Sequence, residues 1–129
     1  MSRQRVSAII IQDKKILLVH EKDINHRSTP GWGIEDDETH EDTLHRELRE
    51  ELDITMVTMK LYHTFTGTNV FYQMPQTDYC YIVTFSGTPK NWSSIRNIGR
   101  FSKDELTSIN IAKDQKEQII HALIKSWLL

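Results

Sequence analysis

One cysteine, three prolines, five glycines and a net charge of only −2 mark this 129-residue chain as much by what is scarce as by what is present. With a single cysteine, Cys80, no internal disulfide can form. It lies in the apolar run "TDYCYIVTF", where a buried structural thiol is expected rather than a nucleophile. The small net charge removes any broad attraction to a nucleic acid polymer or an anionic lipid surface. The apolar run at residues 6–11, interrupted by Ser7 and preceded by Arg3 and Arg5, is too short for a secretion signal core or a membrane span. A cytoplasmic protein without a membrane partner is therefore expected. No repeat, low-complexity tract or Pro/Ser-rich linker divides the chain, so one domain over residues 1–129 is expected. At 38% apolar and 26% charged residues, the composition is that of an ordinary globular protein able to bury a core.

What is present has a clear order. "RVSAIII" and "KILLVHE" flank "QDK", which predicts a hairpin with a polar turn. Residues 21–37, rich in Asp, Asn, Gly and Pro, predict a loop rather than a regular element. Thr39 and Asp42 resemble a capping box with Asp in place of Glu, opening a helix that runs to about residue 52. In "VTMKLYHTF", Val57, Met59, Leu61, His63 and Phe65 alternate with polar residues, the period of a half-buried strand. "DYCYIVTF" predicts a second, more apolar strand and "SSIRNIGRF" a shorter one. Ser102 and Glu105 suggest another capping box opening a short turn. Ile120, Leu123, Ile124, Trp127 and Leu128 recur at helical spacing and predict an apolar stripe laid on the core. Two strands, a helix, several strands and a helix predict a mixed α/β sandwich with helices against a sheet.

The densest chemistry lies in "PGWGIEDDETHEDTLHRELREELDI", residues 30–54. Glu47, Glu50 and Glu51 stand at i, i+3 and i+4, which sets three carboxylates side by side on one helical turn. Like charges at that spacing each cost an isolated helix about 0.2–0.5 kcal/mol. Leu44, Leu48 and Leu52 form the adjoining stripe that would anchor the helix. The carboxylate set suits a hard divalent cation such as Mg²⁺, which takes oxygen ligands and substrate phosphates. A solvated acidic face paired with Arg46 is the other reading of the same spacing. Gly31 and Gly33, just before the helix, let backbone approach a ligand or metal closely.

These residues resemble the box of the Nudix (MutT-like) hydrolases, G-x5-E-x7-R-E-U-x-E-E-x-G-U, where U is bulky and aliphatic. Glu38, Arg46, Glu47, Leu48, Glu50, Glu51 and Ile54 match in register over residues 32–54, seven of the nine defined positions. The flanking Pro30, Gly31, Gly33, Ile34 and Glu35 are also typical of the family. The resemblance implies a Nudix-type α/β/α sandwich with a mixed β-sheet. It also implies hydrolysis of a nucleoside diphosphate linked to another group, with Mg²⁺ or Mn²⁺ as cofactor. Glu47, Glu50 and Glu51 would be metal carboxylates and the Gly31 carbonyl a further ligand. Arg46 would orient a neighbouring glutamate, while Glu38, with Gly33, would hold the loop to the helix. For the general base, Glu50 stands first and Asp104 and Glu105 are distant candidates, because "NWSSIRNIGR" holds no acid.

Two positions depart from the family pattern. Asp53 replaces the final glycine, a mild change because Asp tolerates left-handed backbone. Trp32 replaces the first glycine and leaves three readings open: a strained backbone, a blocked site or a ring that stacks on a nucleobase. Candidate substrate contacts are Trp32, Tyr72, Arg96 and Arg100, with Phe71, Trp92 and Tyr62 as further aromatic candidates. His40 and His45 are expected on the helix surface. The main expectation is an enzyme acting on a small-molecule nucleotide, a nucleoside di- or triphosphate or a related conjugate. The alternative is a catalytically impaired Nudix-fold module that binds a nucleotide or a protein. A homodimer is left open.

Overall fold

The computed structural model describes residues 3–69, 73–90 and 95–129, with the side chains of Ile95 and Arg96 excepted. Its strands are β1 (Arg3–Ile9), β2 (Ile11–Gln12), β3 (Lys15–Glu21), β4 (Gly31–Gly33), β5 (Thr55–Asn69), β6 (Met74–Ser86) and β7 (Ile95–Phe101). Helix α1 is His40–Leu52, and a 3₁₀ turn occupies Glu105–Ser108. A wide π turn, Gln115–Ile120, then runs straight into α2, His121–Lys125. One sheet has the order β4-β1-β6-β5 and the other β2-β3-β7. The first is mixed, since β1 pairs parallel with β6 and antiparallel with β4.

Strand alternation distributes the core to both sides of the sheets. Val6, Ala8, Ile10, Leu17 and Val19 pack with Leu44, Leu48 and Leu52 of α1. Ile9, Ile16 and Leu18 face the other way, toward Ile119, Ile120 and Leu123. Cys80 is buried in that second layer, as expected of a structural thiol, and burial pushes its thiol pKa far up. This is an α/β/α sandwich. No helix among the described residues is long and apolar enough to cross a membrane.

Four expectations need correction. The hairpin turn is real, with Asp13 and Lys14 both left-handed at φ 53° and 61°, as a two-residue type I′ turn requires. Only Ile11–Gln12 pairs across it, however, and β1 itself belongs to the other sheet. The stretch read as a loop contains β4, in which Arg5, Val6 and Ser7 pair with Gly33, Trp32 and Gly31. Turn-type composition concealed a strand whose partner lies about 25 residues earlier.

Strand β5 breaks its own alternation, because its register with β6 shifts between Met56 and Thr58 and between Leu61 and His63. Each β-bulge adds a residue and turns the following side chains over. Met56, Met59, Tyr62 and Phe65 therefore pack inward, whereas Val57 is 63% exposed and Leu61 also faces solvent.

In the last helix α2 follows the π turn and stops at Lys125, so the predicted stripe is cut short. Ile119, Ile120 and Leu123 are buried, while Ile124 is partly exposed and Trp127 is 78% exposed. Trp127 ends the helix in left-handed backbone at φ 65°. The amides of Leu128 and Leu129 reach back to the Leu123 carbonyl at 3.0 and 3.4 Å, and Lys14 donates to the Trp127 carbonyl. Since glycine adopts that backbone without a Cβ penalty, Trp127→Gly should not destabilise the protein and should gain a few tenths of a kcal/mol or more, up to about 1 kcal/mol. Urea unfolding followed by circular dichroism measures this; a loss above about 1 kcal/mol would contradict the exposed, left-handed placement.

Candidate active site

Helix α1 starts where the sequence predicts. Thr39 accepts the Asp42 amide at 3.1 Å and Asp42 accepts the Thr39 amide at 3.2 Å, a complete capping box. Leu44, Leu48 and Leu52 are fully buried against the sheet, and this anchor sets the rotation of the helix. Glu47 is thereby turned inward, with its side chain 14% exposed, and Glu50 outward at 59%. Glu51 is intermediate, and its Oε2 is buried without a hydrogen-bond partner among the described residues. The helix ends on Asp53 in left-handed backbone (φ 56°, ψ 39°), which explains how Asp serves where the family pattern has glycine.

Arg46 organises the acids. Its Nε and Nη2 grip both oxygens of Glu38 at 2.8 Å each, a bidentate pair. Its Nη1 donates to Glu47 Oε1 at 2.5 Å and to Glu50 Oε2 at 3.4 Å, and Nη2 lies 3.7 Å from Glu35. Thr43 Oγ1 also donates to Glu38 at 3.0 Å. The Arg46 hydrogen bond holds the Glu38 pKa down at about 2. Glu47 goes the other way, raised by burial against the opposing pull of Arg46. Glu51 is raised by burial and then by the charges of Glu47, Glu21 and Glu50, with no cation offsetting them.

Beside this helix lies an open cavity of about 660 Å³. Its lining includes Glu47, Glu35 and Glu21, Arg3 and Arg5 of β1, and Gly31, Trp32 and Gly33 of β4. His26, Ser28, Asn69 and Gln115 complete it. His20 Nε2 meets the Ile24 carbonyl at 2.7 Å and helps fold the loop that forms the rim. Gly31 is dictated by space: a Cβ there would lie 2.5 Å from Arg5 Nε and 2.6 Å from Ser7 Oγ. Behind it, Ser7 Oγ donates to the buried Asp78 at 2.7 Å, and Arg5 Nε lies 3.9 Å from the same carboxylate. Burial raises the Asp78 pKa while Arg5 and Ser7 oppose it.

Trp32 is not among the positive-φ residues and pairs as an ordinary strand residue with Val6. The strain reading is therefore wrong: in an extended strand a side chain costs nothing that glycine would avoid. Nor does the ring close the site. It packs on the core beneath α1 and forms part of the cavity wall.

Other candidates lie elsewhere. Arg100 lines a separate cavity with Leu17, Thr88 and Pro89, because its β7 partner is Leu17 on the far sheet. Arg96 belongs to β7 but its side chain is outside the described residues, as are Tyr72, Phe71 and Trp92 entirely. Tyr62 packs in the opposite core layer and meets Ser126 at 2.9 Å. Glu105 is engaged by the Ser102 amide at 3.0 Å and by Lys15 at 3.7 Å, confirming that capping box. Neither Glu105 nor its neighbour Asp104 lines the cavity beside α1. His45 is exposed as expected, but His40 is half-buried, stacked 4.5 Å from Tyr79 with Nδ1 2.6 Å from the Tyr81 hydroxyl.

Arg3, Arg5, Glu21 and Gln115 escaped the sequence reading as cavity residues. The only available signal was the i, i+2 spacing of two arginines on one strand face, and nothing in a linear sequence says that this face meets residue 115.

Could these residues hold a divalent ion? Among the described residues no three carboxylate, histidine or cysteine side chains converge into a cage as they stand, since Glu47 is turned onto Arg46. The donor chemistry nevertheless fits. Glu51 carries a buried oxygen without a partner beside Glu47, Glu21 and Glu50, a deficit that an oxygen-seeking cation would relieve.

A comparison with curated proteins found no match. Among solved structures, a MutT NUDIX hydrolase from Burkholderia pseudomallei superposes with a TM-score of 0.80 at 24% identity, covering 92% of this chain and 98% of that one. The E. coli ORF135 protein gives 0.78 at 26% identity, with 97% and 92% covered. The NUDIX domain of Shewanella oneidensis NrtR, solved with ADP ribose, gives 0.79 at 17% identity, with 98% and 89% covered. The family model described as NUDIX domain matches residues 1–123; with the box in register on α1 and the sandwich that carries it, this chain belongs to the Nudix family of pyrophosphohydrolases.

Proposed function

We propose that this protein hydrolyses the diphosphate linkage of a nucleoside di- or triphosphate, or of a related nucleotide conjugate, with Mg²⁺ or Mn²⁺. The observation that carries the reading is the buried, unpartnered Glu51 oxygen beside Glu47 at the edge of a cavity large enough for a nucleotide. Glu47, Glu50, Glu51 and the Gly31 carbonyl would hold the ion. When bound, the ion would neutralise phosphate oxygens and sharpen a water as nucleophile. The protein's own residues supply positioning. Thr43 steadies Glu38, Glu38 fixes Arg46, and Arg46 holds Glu47 and tethers the outward Glu50. Fixed charges of this kind need no reorganisation during reaction, which is where electrostatic catalysis gains most.

We take residues 1–129 as one such domain, cytoplasmic, with a small-molecule partner and neither a nucleic acid polymer nor a membrane. A panel of nucleoside di- and triphosphates and nucleoside diphosphate conjugates tests the activity. Phosphate or diphosphate release is expected with Mg²⁺ or Mn²⁺, loss of turnover in excess EDTA, and recovery when the metal is returned. Turnover undiminished in EDTA would refute the metal-dependent reading.

A further inference from the structure

The cavity has a second pole that the box does not account for. Arg3 and Arg5 project from the same face of β1, roughly 7 Å apart along the strand, and both line the cavity that Glu47, Glu35 and Glu21 also line. Each lies against a glycine of β4. Arg5 crosses Gly31, and Arg3 Nη2 comes within 3.4 Å of where a Gly33 Cβ would stand. Thr29 further holds Arg5 through its carbonyl, 3.3 Å from Nη2. The nearest acid facing Arg5 is Asp78, at 3.9 Å, which also accepts from Ser7.

Gln115 stands beside this wall, nine-tenths buried, and lines the same cavity. Its Oε1 is occupied by the Thr29 amide at 2.7 Å and the Thr29 hydroxyl at 3.3 Å. The amide orientation is thereby fixed, leaving its NH₂ as the remaining polar group. Arg3, Arg5 and Gln115 thus present hydrogen-bond donors rather than acceptors. Two guanidinium groups on one strand face of a cavity concentrate donors and positive potential there, the chemistry that takes up an anion.

We propose that Arg3 and Arg5, with Gln115 beside them, form an anion subsite that takes a phosphate group of the substrate other than the scissile diphosphate. The substrate would then be a nucleotide with a longer phosphate chain or with a phosphate monoester on its far side. The subsite rests on the same cavity as the proposed hydrolysis, but it is testable without metal or turnover. In excess EDTA, isothermal calorimetry with inorganic tripolyphosphate and, separately, ribose 5-phosphate distinguishes the chain from the monoester. Saturable binding of either is expected, weakening with added NaCl and falling about tenfold or more in Arg3→Gln. Arg3→Lys, which keeps the charge but not the fork, should fall between the two and guards against a misfolded Gln variant. No saturable binding of either ligand, or equal binding by wild type and both variants, would overturn the subsite and leave the metal-dependent hydrolysis untouched.

Discussion

Glu51→Gln is expected to lower diphosphate hydrolysis by at least about 100-fold, the scale on which a single preorganised charged or polar contact to the transition state is lost. The same substitution should leave the metal-free protein as stable as before or up to about 1 kcal/mol more stable, because Glu51 Oε2 is buried without a partner and an uncompensated charge is removed. Function and stability therefore move in opposite directions, as for a residue kept for its ligand. Wild-type protein should melt higher with Mg²⁺ or Mn²⁺, by about 1.4 kcal/mol for each tenfold excess over the dissociation constant. The variant should gain much less. Parallel thermal melts and turnover assays, with and without EDTA, decide it. Full activity in Glu51→Gln, or a clear loss of metal-free stability, would remove Glu51 from the site.

The pH dependence of the metal-free protein follows from the same geometry. Glu47 and Glu51 have folded-state pKa values raised above the ordinary 4.5, chiefly by burial. The folded state then binds more protons than the unfolded chain as pH rises from about 4.5, so stability falls through that range. Glu38 has the opposite sign: lowered to about 2 by Arg46, it contributes stability above 4.5 that is lost as pH falls toward 2. In EDTA, stability should therefore decline above about pH 4.5, and a divalent ion should flatten that decline.

Leu48→Ala should have the largest effect on stability. Leu48 is fully buried, between Arg46 and Glu50 in sequence but on the opposite side of α1, in the core with Val6 and Ala8 of β1 and with Ile10 just beyond it. Truncating a buried leucine costs about 2.7–5 kcal/mol through lost transfer energy and the cavity left behind. Against a total of about 5–15 kcal/mol, that is a large fraction. Ile124→Ala, at a position the linear periodicity marks equally as core but the structure leaves partly exposed, should change stability by no more than about 0.5 kcal/mol. Urea denaturation of the pair tests both placements together. Comparable losses would mean that the last helix presents the face its heptad-like spacing suggests. A small loss at Leu48 would mean that α1 is anchored differently and that the inward turn of Glu47 has another cause.

Local features were legible because their causes are local. The Thr39 and Asp42 capping box, the Leu44, Leu48 and Leu52 stripe, the carboxylates of Glu47, Glu50 and Glu51, and the family itself all lie within one turn-by-turn pattern of residues 30–54. Chain neighbours determine such patterns through helical geometry and short-range hydrogen bonding. The left-handed Asp53 belongs here too, since tolerance of that backbone is a property of the residue.

Tertiary structure alone decided the rest, wherever the partner is distant in sequence. Whether Trp32 was strained depended on its pairing with Val6. The inward faces of β5 depended on bulges against β6, and the burial of the last helix on where α2 stops. Arg100 was drawn away by pairing with Leu17. Conversely, Arg3, Arg5, Glu21 and Gln115 were brought to one cavity by β1, β3 and the C-terminal helix. Residues 38–54 suffice to specify the acidic helix and the chemistry it suits. What joins it around the cavity does not follow from them, because side-chain convergence depends on sheet register and packing that a linear pattern does not encode.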